Sequence, residues 1–305
     1  MSSTRSRGRN VFGLLLLDKP AGMSSNQALQ RVKRFYAAAR AGHSGSLDPL
    51  ATGMLPIFFG SATHLCAYLL DSAKEYRATA TLGVATTTGD AEGEVTVDRS
   101  SELPAAPEAV ARVLEQFLGE TEQIPPMFSA LKRGGVPLYR LARRGVEVDR
   151  APRRVFIEAL ILEDYRWPEV TFRVRCSKGT YVRTLAEDIA RALGTVGHIA
   201  ALRRLAVQPF FSHTMVALET VAEAASRGAA ALDALLLAPD AALPGMPAVE
   251  VPEAAAVRLA HGQAVPTEPE WPSGIVRVYG PHRSFLALGR VTADGWLAPQ
   301  RVFRR

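Results

Sequence analysis

Residues 42–53 read Gly42-His43-Ser44-Gly45-Ser46-Leu47-Asp48-Pro49-Leu50-Ala51-Thr52-Gly53. The glycines permit backbone angles and a close ligand approach that larger residues would block. Pro49 biases Asp48 away from helical geometry and restricts how its carboxylate is presented. An aspartate fixed on such a loop is well placed for covalent chemistry. Taken alone, an Asp-Pro pair is more simply the opening of a turn, so the stretch has to be read with its surroundings.

Upstream, residues 11–17 read as a strand that closes at Lys19-Pro20 and Gly22. Ser24 or Ser25 can then cap a helix in which Leu29, Val32 and Tyr36 recur at helical spacing. Downstream, residues 54–59 are apolar, and Ser61 is a candidate cap for a helix carrying Leu65, Tyr68 and Leu69. Tyr76, Ala78, Ala80 and Leu82 alternate with Arg77, Thr79 and Thr81, the period of a half-exposed strand. Residues 107–119 form an amphipathic helix stopped by Gly119, with Val110, Val113, Leu114, Phe117 and Leu118 on one face. Val170, Phe172, Val174 and Cys176 alternate with Thr171, Arg173 and Arg175, a strand with a basic side. A helix with Leu185, Ile189 and Leu193 follows, ending at Gly194. Helices and strands are thus mixed without a regular βαβ rhythm. Pro244, Gly245 and Pro247 make 239–252 the best linker candidate. Beyond it, 275–279 and 285–291 read as strands, with Asp294-Gly295 as a hairpin turn.

The 305 residues carry 36 Lys and Arg against 30 Asp and Glu, a net charge of +6 and a pI near 9.6. That excess points to an anionic partner without naming one. At 48% hydrophobic and 22% charged, the chain is ordinary globular material, neither disordered throughout nor low in complexity. Its length favours one large domain and a smaller one. Cys66 and Cys176, far apart, give neither a disulfide framework nor a zinc motif. Arg5, Arg7 and Arg9 before residues 11–17 have the outline of a signal peptide, but the apolar run is short and ends in Asp18-Lys19-Pro20. The reading is therefore a buried strand behind a flexible basic tail, in an intracellular protein. No apolar stretch approaches the roughly 18 residues of a transmembrane helix.

Several chemistries are excluded. There is no GxxxxGK[ST] or strand-linked GxGxxG, and no histidine pair at the i, i+4 spacing that clamps a metal. Residues 42–46 miss the GxSxG nucleophile elbow by one position. The strongest charge asymmetry lies where Lys132, Arg133, Arg140, Arg143, Arg144, Arg150, Arg153 and Arg154 crowd together, interspersed with Phe128, Leu138 and Tyr139. Basic runs are usually solvated faces, but clustered cations with aromatic platforms also suit nucleic acid.

GHSGSLDPLATGMLP closely resembles the catalytic motif of the bacterial tRNA pseudouridine synthases of the TruB type, which isomerise uridine 55 in the TΨC loop. GLLLLDKPAGMSSN before it, and KEYRATATLG, PPMFSALK, CSKGTYVRTL and LRRLAV after it, continue the resemblance in order over most of residues 11–207. One departure is Thr87, which stands where many relatives carry aspartate, while Thr86, Thr88, Asp90 and Gly93 match.

The resemblance implies that Asp48 is the nucleophile and that Arg183 pairs with it. A partly buried carboxylate needs such a partner, because desolvation raises its pKa and a guanidinium lowers it again. By the same resemblance Tyr76 lies against a uracil flipped out of its stack, Tyr181 and Leu202 line the pocket, and His43 helps hold the displaced loop. Asp90 is carried over as a further substrate-site residue. Lys19 and Lys178 could touch RNA backbone or satisfy loop carbonyls. The implied fold is α+β: a mixed, mostly antiparallel sheet in two halves around a catalytic cleft, plus a small C-terminal β-rich pseudo-barrel of the PUA type. The expected organisation is a flexible basic tail at 1–10, a catalytic domain at 11–246 with an RNA-gripping insertion around 101–155, and an RNA-binding domain at 247–305. The expected partner is tRNA, engaged through its TΨC stem-loop in the cytoplasm. No cofactor, metal, membrane or obligate protein partner is expected, and the protein is expected to be a monomer. Two other readings stay open: a non-catalytic RNA-binding or RNA-folding protein, and a pseudouridine synthase for another RNA.

Overall fold

The alternating segment around Tyr76 becomes the strand Lys74–Leu82, with Ala78, Ala80 and Leu82 buried on one face. It lies near the middle of a nine-stranded sheet in a computed structural model that describes residues 8–100 and 106–303. The path runs Val216–Ala217, Gly13–Lys19, Thr52–Phe59, Gly197–Val207, Lys74–Leu82, Glu169–Cys176, Arg153–Arg166 and Gly119–Gln123. Ala41–His43 pairs onto Thr52–Phe59. Most pairings are antiparallel. Gly197–Val207 and Thr52–Phe59, however, meet in parallel at only Arg203↔Thr52 and Arg204↔Gly53. This short seam divides the sheet into two halves, and the loop carrying Asp48 leads directly into it.

The strand Gly13–Lys19 is apolar on both faces because it separates two cores. Leu14 and Leu16 pack with Met54, Phe58 and Phe210, whereas Leu15 and Leu17 pack with Ala28, Leu29 and Val32 of the helix Ser25–Phe35. Ser24 is the cap, in a reciprocal box with Gln27. Under the other half, Val110, Val113 and Leu114 of Pro107–Glu115 and Leu185 and Ile189 of Val182–Ala192 share one cluster with Phe172 and Val174.

The final residues form a separate five-stranded sheet, Ala248–Glu250, Gly274–Gly280, Ser284–Val291, Trp296–Val302 and Val265–Pro266, curled around the helix Glu253–Ala260. No helix among the described residues is long and apolar enough to cross a membrane.

Four local expectations are corrected. Ser61 lies inside the 3-10 turn Gly60–Leu65, and the α-helix that follows is Cys66–Leu70, with Leu65 at its N-cap position. The helix at 107 ends at Glu115, one turn early, because Gly119, at φ +86°, opens the strand Gly119–Gln123 and leaves Leu118 exposed. Of the tail, residues 1–7 lie outside the described part, but Arg9 is fixed: its guanidinium donates to both Asp233 oxygens at 2.7 Å. The linker candidate is also packed. Pro239 is buried, Ala242 and Leu243 pack in one cluster with Tyr279, Phe285 and Phe303, and the Tyr279 hydroxyl donates to Asp240 at 2.5 Å.

Candidate active site

The Asp48 loop is pinned from several sides. Ser25 Oγ donates to the Leu47 carbonyl at 3.0 Å and accepts from the Leu47 N–H at 2.7 Å. The Gly22 N–H donates to the Pro49 carbonyl, and Ala51 N–H closes a turn onto the Asp48 carbonyl. Lys19 is wholly buried, with Nζ donating to the carbonyls of Pro20, Met23 and, at 3.4 Å, Pro49. Of the two readings of Lys19, this is the carbonyl geometry. Burial lowers the Lys19 pKa to about 8, with Asp48 acting in the opposite direction. Lys178 instead pairs with Asp71 at 2.9 Å.

Arg183 arrives from the first turn of Val182–Ala192. Gln123 holds that helix start, accepting from the Tyr181 N–H at 3.0 Å and donating to the Tyr181 carbonyl at 3.4 Å. The guanidinium is almost fully buried. Its Nε lies 3.1 Å from Asp48 Oδ2, Nη1 donates to the Thr88 carbonyl at 2.7 Å, and Nη2 donates to the Phe128 carbonyl at 2.6 Å. Asp90 Oδ2 is 3.7 Å from Nη1. Asp90 is itself buried, accepting from Thr88 Oγ1 at 2.5 Å and the Glu92 N–H at 3.1 Å. Thr87 is exposed and its hydroxyl accepts from the Glu94 N–H, a turn contact that an aspartate could make equally well.

The Asp48 side chain keeps 43% of its surface, so one face is open while the other meets Arg183. Desolvation raises its pKa above the ordinary carboxylate value, and Arg183 pulls against that rise. Tyr76 and Leu202 join Leu47, Leu50 and Val182 in one apolar cluster beside the loop. Burial raises the pKa of both Tyr76 and Tyr181, keeping each a neutral phenol at pH 7. His43 ends the strand Ala41–His43; burial and then Arg204 lower its pKa, so the ring is neutral, and its Nδ1 is buried with no partner among the described residues. The structure thus brings Asp48, Arg183, Asp90, Tyr76, Tyr181 and Leu202 together, with Lys19 beneath the loop and His43 at its start. The arrangement can present an ionised carboxylate, gripped by a guanidinium, beside a cluster of apolar and aromatic side chains.

Sequence reading missed Ser25, Gln123 and Arg204 as supports of this site. Only Arg204 left a local signal, standing two residues beyond Leu202 on a strand and so on the same face.

The basic cluster is exposed at Lys132, Arg133, Arg140, Arg143, Arg144, Arg153 and Arg154. Arg143 stacks over the Tyr139 ring at 5.7 Å. The basic side of Glu169–Cys176 is different, because carboxylates from neighbouring strands meet it. Arg77 and Arg173 each lie 2.7 Å from Glu163, and Arg175 lies 3.0 Å from Glu75 and 3.3 Å from Glu158. That face is a neutralised ladder, which corrects the expectation of a cationic one.

Residues 33–182 match the N-terminal domain of the TruB family pseudouridylate synthases. Residues 183–244 match a tRNA pseudouridylate synthase B C-terminal domain, and 247–303 match the C-terminal domain of pseudouridine synthase II TruB. The chain is 46% identical over the full length of both proteins to the tRNA pseudouridine synthase B of Pseudomonas aeruginosa. It is 48% identical to the enzyme of the same name from Nitrosococcus oceani, over 98% of this chain and 96% of that one. The fold is shared with a chain in the crystal structure of a Cbf5-Nop10-Gar1 complex, with a TM-score of 0.72, 24% identity, and coverage of 96% of this chain and 85% of that one. Two proteins that keep this much identity from end to end share an ancestor and an architecture, and on those grounds the chain belongs to the TruB family of pseudouridylate synthases.

Proposed function

We propose that the protein is a tRNA pseudouridine synthase, an isomerase that converts uridine 55 of the TΨC loop to pseudouridine. The observation that carries the reading is the open Asp48 carboxylate bound to a nearly buried Arg183 at 3.1 Å, in a chain whose full-length relatives bear that enzyme name. The reaction breaks the N1–C1′ bond, forms a C5–C1′ bond, moves a proton off C5 and places one on N1. It conserves atoms and redox state, so the chemistry calls for neither a metal nor a redox cofactor.

In this reading Asp48 is the nucleophile, and Arg183 holds it ionised and aimed. The uridine enters by flipping out of its stack, and Tyr76, Tyr181 and Leu202 receive it. His43, neutral and with a free ring nitrogen, faces the displaced loop. Asp90 and Lys19 act from behind, Asp90 on Arg183 and Lys19 on the loop carbonyls. The insertion around 101–155 grips the TΨC arm through its exposed arginines, and the unit at 247–305 adds a second RNA-binding surface. The protein works as a cytoplasmic monomer.

Tritium release from a tRNA transcript labelled at uracil C5 tests the reading, with a uridine-55→cytidine transcript as control. Release from the first alone is expected. Asp48→Asn should abolish it while leaving tRNA affinity within about tenfold, since affinity rests on phosphate contacts. Equal release from both transcripts would point to another RNA site, and no release by the wild type would point to a binding protein.

A further inference from the structure

Arg204 has the largest side chain that is fully buried among the described residues, and no carboxylate pairs with it there. A buried cation without a counter-ion is costly unless neutral oxygens surround it in good geometry. Here they do. Nε donates to the Met54 carbonyl at 2.7 Å and Nη2 donates to the Gly45 carbonyl at 3.0 Å, so one guanidinium spans both ends of the Asp48 loop. The backbone of the same residue lies against Gly53, where a Cβ would come within 2.1 Å of the Arg204 carbonyl oxygen. Arg204 and Tyr76 are also direct cross-strand partners, so their side chains lie on the same face of the sheet.

A guanidinium has donors only. A lysine could supply the charge but not a planar fork that reaches two carbonyls at once.

We infer that Arg204 is a positioning residue for the isomerisation, fixing both ends of the Asp48 loop beside its cross-strand partner Tyr76. This rests on the pseudouridine synthase reading above. The effect belongs to the bound complex, so it falls on the rate constant and spares RNA affinity, which is set elsewhere by phosphate contacts.

The test is single-turnover pseudouridine formation on an unmodified tRNA transcript by wild type, Arg204→Lys, Tyr76→Phe and the double variant, with tRNA affinity and thermal unfolding measured for each. Arg204→Lys is expected to lower the rate constant at least about tenfold with affinity within about threefold. Because Arg204 fixes the Asp48 loop beside its cross-strand partner Tyr76, the double variant should be less impaired, by at least about threefold, than the product of the two single losses. A merely structural role would lower the unfolding temperature and let the losses multiply. Losses that multiply, or a wild-type rate in Arg204→Lys below its unfolding temperature, overturn the inference. A wild type that forms no pseudouridine in this assay would instead overturn the function reading.

Discussion

Arg183 Nε sits 3.1 Å from Asp48 Oδ2 while the other two nitrogens of the same guanidinium are committed to the carbonyls of Thr88 and Phe128. The arginine is thus fixed before it meets the carboxylate, and it ties three segments together: the Asp48 loop, the turn before Asp90 and the stretch just ahead of the basic cluster that begins at Lys132. Charge alone would not reproduce this. Arg183→Lys should keep the cation and lose the fork. Hydrogen bonds to charged groups are each worth about 1.5–3 kcal/mol, so a loss of two predicts a fall in the rate constant of about 100-fold or more. Single-turnover tritium release measures it, and a loss below tenfold would show that the carbonyl contacts are dispensable.

The protonation of Asp48 sets the acid limb of activity. Burial raises its pKa and Arg183 opposes the rise, leaving it above the ordinary carboxylate value. The reactive form is the carboxylate, so activity is lost as pH falls through the folded-state pKa. In wild type that loss should begin at a higher pH than for a free aspartate. Removing the cation in Arg183→Met takes away the main opposition to desolvation and leaves only the weaker pull of Lys19, so the acid limb should move to still higher pH. The pH profile of kcat/KM reads this directly, and a limb that stayed put or moved down would contradict the pairing.

Gly53 stands where the loop joins the seam, at φ +100°. A Cβ there would lie 2.1 Å from the Arg204 carbonyl oxygen and 2.9 Å from two more backbone atoms, none of which can move without opening the sheet. A Cβ at Gly22, at φ +76°, would meet no atom of the described residues within 4 Å. Gly22→Ala should therefore cost only the left-handed backbone strain, about 1–2 kcal/mol. Gly53→Ala should cost at least about 3 kcal/mol or fail to fold. Denaturant unfolding of the two variants compares them, and equal costs would mean that the contact at Gly53 relaxes freely.

What the sequence made legible was local: the loop around Asp48, the helix that presents Arg183, and the alternating strands of the sheet. Each depends on neighbours within a few positions. What it hid depends on register. Arg203 and Arg204 are adjacent in sequence, yet strand alternation sends Arg203 out to Asp18 at 2.7 Å and buries Arg204 beneath the loop. Gln123 is one polar residue at the end of a short edge strand until the Val182–Ala192 helix is placed against it. Proline and glycine marked 239–252 as irregular, which it is, but they carry no information about what packs on it. In each case the missing quantity was a contact between residues far apart in the chain.

The same distinction separates the two basic surfaces. Arg173 shares Glu163 with Arg77 and reaches Glu75 at 3.6 Å, so its charge is already met within the sheet. Arg143 is exposed over the Tyr139 ring in the insertion, an arrangement that offers a cation and an aromatic face together. A cation that neutralises a phosphate releases a counter-ion, and each such contact adds just under one unit to the slope of log affinity against log salt. Arg143→Gln should weaken tRNA binding and flatten that slope by about one unit. Arg173→Gln should leave both unchanged and cost at most about 1 kcal/mol of stability, the usual worth of an exposed pair. Filter binding across a salt series decides the matter: a slope reduced equally by both substitutions would mean that the ladder opens to meet RNA and that its carboxylates do not neutralise it.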